Sequence, residues 1–168
     1  RGGGAGSTAA LTTGNGLTSD MIRLSVTKLR AAGVGTRDGV YYAGVIHPNV
    51  SYDLRKESGA GGWRVPQEYN VGEKLYKGEI GEWEGVRFIE NARTRKASDG
   101  AASATVYRSF ILGQEALGEA VVTEPGLRFG PVVDRLGRFM PVGWYGDLAF
   151  KIFRDQAIVR LETVTAAS

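Results

Sequence analysis

The chain holds one histidine, His47, and no cysteine among its 168 residues. Those two counts already restrict its chemistry. A single imidazole can serve as general base or metal ligand, but an ion needs several ligands and no second histidine or thiolate is present to share it. His47 ends an apolar run and precedes Pro48, a position where a ring nitrogen hydrogen-bonded to nearby backbone is the ordinary arrangement. Strand followed directly by helix is also the order of a nucleophile elbow, yet no Gly-x-Ser-x-Gly sequence occurs. Asp53 and Glu57 fall four residues apart on one helix face and could form a carboxylate pair. Such residues more often solvate an exposed face and pair with neighbours such as Arg55 or Lys56. Gly-Gly-Gly-Ala-Gly near the start lacks the preceding strand of a dinucleotide fingerprint, and no Walker-type Gly-Lys-Ser/Thr is found. Arg93, Arg95 and Lys96 form the densest basic group, set among small polar residues that read as a solvated loop rather than a nucleic-acid stripe. No residue is assigned as catalytic, cofactor-binding or metal-binding, no cofactor is expected, and an enzyme with a site assembled from distant residues is the rival reading from another class.

The elements that would position any such site follow from composition and pattern. With 42% hydrophobic and 23% charged residues, the chain can bury one core, as a single domain or one domain with a small lobe. Glycine (25) far outnumbers proline (5), which suggests many tight connections in a β-containing protein. No apolar stretch approaches the length needed to cross a bilayer, so no membrane partner is expected. The net charge of +3 is a mild basic excess spread along the chain, enough only for weak, sequence-independent contact with DNA.

Residues 1–16 begin with Arg1 and a glycine-rich run that cannot build a core, and they read as a linker or arm remnant of a longer polypeptide. A helix starts after Thr18 as N-cap, with Leu17 and Ile22 at hydrophobic-staple spacing and Asp20 in the first turn. Ile22, Val26 and Leu29 form its apolar stripe, and Gly33 stops it. Val40 to Ile46 predicts a strand buried on both faces. Pro48 then opens a helix to Glu57, closed by the glycine run at 58–62. Trp63, Pro66 and Tyr69 form an aromatic cluster that reads as core more than interface. The stretch Leu75 to Asn91, punctuated by Gly78, Gly81 and Gly85, predicts a tight hairpin whose second strand is Val86 to Glu90. Ala92 to Ala104 is expected to be a mobile excursion with its ends close, as they would be if the flanking strands paired. Thr105 to Leu112 predicts a strand, Gln114 to Ala120 a short helix, Val121 to Thr123 an extended segment, and Pro125, Gly126, Gly130, Pro131 and Gly137 a chain broken into short pieces. Leu148, Phe150 and Ile152 alternate with Ala149, Lys151 and Phe153, which predicts a C-terminal hairpin in which Ala157 to Val164 is the partner strand.

Several of these segments together resemble the major capsid proteins of tailed phages, specifically the N4-like coat protein group. The resemblance is carried, in order, by Leu17-Thr18-Ser19-Asp20-Met21-Ile22, Val45-Ile46-His47-Pro48 with Tyr52-Asp53-Leu54-Arg55, and Gly78-Glu79-Ile80-Gly81. It continues through Glu84-Gly85-Val86-Arg87-Phe88-Ile89-Glu90, Phe110-Ile111-Leu112-Gly113-Gln114-Glu115-Ala116-Leu117 and Gly143-Trp144-Tyr145. It implies an α+β chain with the Hong Kong 97-type capsid fold, corresponding to the C-terminal part of such a protein. Residues 17–39 would match the spine helix of the peripheral domain, 40–143 the axial domain, and 144–168 strands returning to the peripheral domain. The implied role is structural and not enzymatic: hexameric and pentameric capsomers building an icosahedral virion shell around double-stranded DNA, assembled in the host cytoplasm. Decoration, portal or scaffolding proteins are possible further partners. An encapsulin-like compartment shell sharing the fold is the alternative.

Overall fold

The computed structural model describes residues 1–57 and 79–166. The glycine run at 58–62, Trp63, Pro66, Tyr69 and the start of the Leu75 hairpin lie outside the described residues. By its internal contacts the chain divides into two units, Arg1–Ala116 with Asp155–Ser168, and Leu117–Arg154.

In the first unit the helix α1 runs over Ser19–Ala31. Thr18 caps it as expected, its hydroxyl accepting from the Met21 amide at 3.4 Å, and Gly33 with φ of +64° ends it. Ile22, Val26 and Leu29 are all buried, so α1 is fastened by its stripe rather than by propensity. The strand β1, Tyr42–Ile46, leads straight into α2, Pro48–Lys56. β2 (Glu79–Trp83) and β3 (Val86–Glu90) form the expected hairpin. Its two-residue turn places Glu84 at φ +50° and Gly85 at φ +78°, the left-handed pair whose twist suits a two-residue connection. β4 (Lys96–Ala97) and β5 (Val106–Leu112) follow, and β8 (Ile158–Val164) closes the chain.

These strands make one six-stranded mixed sheet. β1 is central, parallel to β3 and antiparallel to β5, which is why its run reads as continuously apolar. β5 in turn pairs β8 over its whole length, from Val106↔Val164 to Leu112↔Ile158. One apolar cluster joins α1, α2 (Val50, Leu54), β1 (Tyr42, Ile46), β3 (Val86, Phe88), β5 (Tyr107, Ile111) and β8 (Leu161).

Four expectations need correction. The glycine-rich start is not a free arm: Leu11 is fully buried with Val106 and Val164, and the Val164 amide donates to the Asn15 carbonyl at 3.1 Å. A single apolar residue and a few backbone groups suffice to cover a strand edge, where composition alone foresees only flexibility. Residues 92–104 carry structure too, since β4 pairs β5 and Arg108 N donates to Arg95 O at 3.0 Å. The condition named for the ends of this stretch to be close, pairing of the flanking strands, is not met, because β1 lies between β3 and β5. Finally, β8 pairs β5, so residues 148–153 and 157–164 do not form a hairpin. The short turn at Asp155–Ala157 delivers β8 to the sheet instead.

Glu162 on β8 ties the start of the chain to this sheet. Its carboxylate accepts from Thr8 Oγ1 at 2.8 Å and from Arg1 Nε at 3.1 Å, with Arg160 at 3.1 Å and Arg108 at 3.7 Å completing its surroundings. Burial pushes this carboxyl up, but the Thr8 and Arg1 hydrogen bonds and the charges of Arg160 and Arg1 outweigh burial and leave it below the usual carboxylate range. A group depressed in the folded state contributes stability that is present above its unfolded-state value and lost as pH falls through the folded one. Urea midpoints measured across the acid range should therefore fall with pH in the native chain and fall less steeply in Glu162→Gln; parallel curves would show that the carboxylate contributes nothing.

Candidate assembly surface

The residues weighed for chemistry occupy structural posts. His47 is the N-cap of α2, its Nδ1 accepting from the Asn49 amide at 3.1 Å, with its ring tilted against Tyr107 at 4.7 Å between centroids. Burial, and then the Lys96 charge, hold its pKa below the ordinary value, which keeps Nδ1 an acceptor near neutral pH. His47→Gln retains a side-chain acceptor and should cost no more than about 1 kcal/mol, the scale of a lost cap. A thermal shift far beyond that in a melting experiment would assign the imidazole a larger role.

Asp53 and Glu57 do not act as a pair. Glu57 reaches α1, where Oε2 accepts from Ser19 N at 2.9 Å and Ser19 Oγ at 2.6 Å, placing a carboxylate on a helix N-terminus. Asp53 lies against Gly16, where an added Cβ would come within 3.1 Å of Oδ2. Arg55, expected to neutralise its own helix face, instead bonds Glu90 of β3 at 2.5 Å, and Ser51 Oγ bonds the same carboxylate. Arg93, Arg95 and Lys96 are exposed, although Lys96 lies on β4 rather than in a loop. Two shallow depressions, each of about 290 Å³, are lined by Arg37, Asp38, Tyr41 and Arg87 and by Thr13, Thr18, Asp53 and Glu57. Arg87 in the first is engaged with Glu82 at 3.0 Å and Asp38 at 3.6 Å.

In the second unit the strand read at Leu148 to Ile152 is present, but its length and its partner differ from expectation. β6 (Leu117–Phe129) and β7 (Val142–Ile152) form a long antiparallel hairpin. The short helix expected at Gln114 to Ala120 is absent: Gln114 and Glu115 make a turn, with Glu115 at φ +58°, and β6 begins at Leu117. Nor do Pro125 and Gly126 break the chain. Register shifts on either side of Thr123 absorb them, and Gly146 of β7 leaves room for the Pro125 ring, which an added Cβ would meet at 3.0 Å. At the tip, Gly130 N donates to Pro141 O at 2.9 Å and Val133 N to Phe139 O at 3.0 Å, while Arg138 bonds Asp134 at 3.0 Å.

Successive strand residues point to opposite faces, and cross-strand partners share one. Pairing Leu117 with Ile152, Val121 with Leu148, Leu127 with Trp144 and Phe129 with Val142 puts all eight on the same face, together with Phe150 opposite Glu119. The other face carries Gly118, Ala120, Arg128, Tyr145, Ala149 and Lys151. Every apolar member of the first face is exposed, from 38% for Leu148 to 68% for Trp144 and Phe150. Contiguous apolar surface of this kind marks a place of contact. Its signal in the sequence is the alternation from Val142 through Ile152, obscured by the glycines and prolines on either side.

The model of the phage capsid protein family matches residues 11–136, and the chain belongs to that family. None of the curated proteins matches it significantly. Among solved structures it is similar to the capsid of Ralstonia phage GP4, with a TM-score of 0.73, 22% identity, 98% of this chain and 51% of that one. It is also similar to the cyanophage Pam1 capsid, with a TM-score of 0.70, 18% identity, 96% of this chain and 50% of that one. A further similar structure is from Mycobacterium phage Che8, with a TM-score of 0.59, 17% identity, 91% of this chain and 53% of that one. These likenesses show the fold. The chain spans about half the length of the capsid chains it matches.

Proposed function

We propose that this chain is the part of a tailed-phage major capsid protein that builds the icosahedral head shell, in a Hong Kong 97-type arrangement and in the N4-like group. The observation that carries the proposal is the capsid family match across residues 11–136, which takes in α1, α2 and β1 to β6. The exposed apolar hairpin supports it, because a shell subunit needs surface that only assembly covers. In this reading residues 17–39 are the spine helix, 40–143 the axial domain and 144–168 the strands returning to the peripheral domain. The boundary at 144 falls inside β7, so the position of that strand within a particle tests the assignment. The role is non-enzymatic, the site is the virion, and assembly takes place in the host cytoplasm through hexameric and pentameric capsomers.

Packaged DNA meets the shell weakly, since a net charge of +3 leaves few basic side chains per copy to face phosphate. Decoration, portal and scaffolding proteins are further partners in this reading. Electron microscopy of the native particle tests it: a DNA-filled shell bearing a tail is expected, whereas a shell enclosing protein cargo, or no particle, overturns it. A fluorescence titration with duplex DNA tests the charge argument separately, and tight, sequence-selective binding by the free subunit would sink it.

A further inference from the structure

We infer that residues 1–16 form a strap that acid releases from the sheet, with the Glu162 carboxylate as its clasp and an apolar slot at Val106 and Val164 as the surface it uncovers. The inference needs only one copy of the chain, so it stands apart from the shell reading. The strap and the core lie against opposite faces of the β5–β8 pair. Val106 is paired with Val164 and Arg108 with Glu162, so these four residues share one face. Leu11 packs with the two valines there, and Arg1 and Thr8 reach Glu162. Tyr107, Ile111 and Leu161 alternate with them on the same strands and belong to the cluster that holds α1 and α2. The strap can therefore leave without opening that cluster, which is the condition for a local rather than a global opening.

Leu11 anchors the strap, with backbone bonds from Val164 N to Asn15 O at 3.1 Å and from Ala101 N to Leu11 O at 2.9 Å. Glu162 adds the charged hold and divides its oxygens between strap and sheet. Oε2 accepts from Thr8 Oγ1 and Arg1 Nε, whereas Oε1 faces Arg160 on β8 and Arg108 on β5. Arg1 also donates to the Gly6 carbonyl at 2.6 Å, which folds the strap onto the same guanidinium. Asp99, bonded to Arg108, is the other carboxylate of the group. With Glu162 ionised, the guanidiniums of Arg1, Arg108 and Arg160 are balanced by two carboxylates. Once Glu162 binds a proton only Asp99 remains, and Arg1 is left beside two like charges. Closed, the Glu162 carboxyl is raised by burial but brought below the usual range by Thr8, Arg1 and Arg160 together. Released, it is back in water and near the ordinary glutamate value of about 4.3. The closed strap is thus fully favoured above that value and progressively less so as pH falls towards the closed-state one.

Hydrogen exchange read by mass spectrometry, corrected for intrinsic rates, follows strap and core in the same chain. Protection across residues 8–16 should fall about tenfold or more between about pH 7 and about pH 3.5, while that of β5 changes by less than about threefold. In Glu162→Gln the strap should exchange at neutral pH as fast as the native strap does in acid, and its pH dependence should vanish. Arg1→Gln alters the strap alone, so it keeps the test open if Glu162→Gln fails to fold. It should lower strap protection severalfold at neutral pH and leave β5 as it was. Strap protection that persists in acid, that falls only in step with β5, or that is unchanged in whichever of the two variants folds would each overturn the inference.

Discussion

Gly44→Val should leave the first unit without a stable fold. Gly44 sits in the middle of β1, paired with Phe88 of β3 on one side and Ile111 of β5 on the other. A Cβ added there would lie 2.6 Å from Phe88 Cδ1, 2.7 Å from Cε1 and 2.8 Å from Val86 Cγ1. Phe88 and Val86 are fully buried in the central cluster and have nowhere to swing. One extra methylene in a filled core costs about 1–3 kcal/mol, and valine adds three carbons, against a total stability of about 5–15 kcal/mol for a typical domain. Chemical denaturation should show a loss of cooperative unfolding for Gly44→Val and a reduced midpoint for Gly44→Ala. If steric conflict with the ring is the cause, Phe88→Leu should restore part of the stability of Gly44→Ala. A native midpoint for Gly44→Val would disprove the close approach.

Val26→Asp should be nearly as damaging for a different reason. Val26 is 5% exposed on the inner stripe of α1, between Ile22 and Leu29, in a cluster of apolar side chains. An unpaired carboxylate in such a place costs several kcal/mol or is forced to bind a proton. Leu24, on the same helix, is 57% exposed, so Leu24→Asp should change stability by no more than about 0.5 kcal/mol. The contrast between the two in a urea titration isolates burial from helix propensity. Similar midpoints for both would mean that the stripe does not face the core.

Local signals were legible wherever one residue type meets one local geometry. Thr18, Asp20 and Gly33 bounded α1 correctly because capping and termination are settled within a turn of helix. His47-Pro48 marked the junction of β1 and α2 for the same reason, and Gly85 the start of β3 at Val86. The alternation of Leu148, Phe150 and Ile152 was read correctly as a strand. Its partner was not, because alternation specifies which residues share a face and says nothing of which strand lies alongside.

The sequence by itself therefore determined the bounds of α1, the junction of β1 with α2 and the start of β3, which stripe of α1 is buried, and that the chain carries the segments of a phage capsid protein. The tertiary structure decided the pairings: β8 with β5, β6 with β7 through two register shifts, Glu57 with the start of α1, and Glu162 with Arg1 and Thr8. Caps and turns are governed by dihedral preferences and hydrogen bonds a few residues apart, which each residue type states for itself. Pairing depends on which of several compatible strands buries more apolar surface and satisfies more backbone groups, a comparison among distant segments that exists only once the chain has come together.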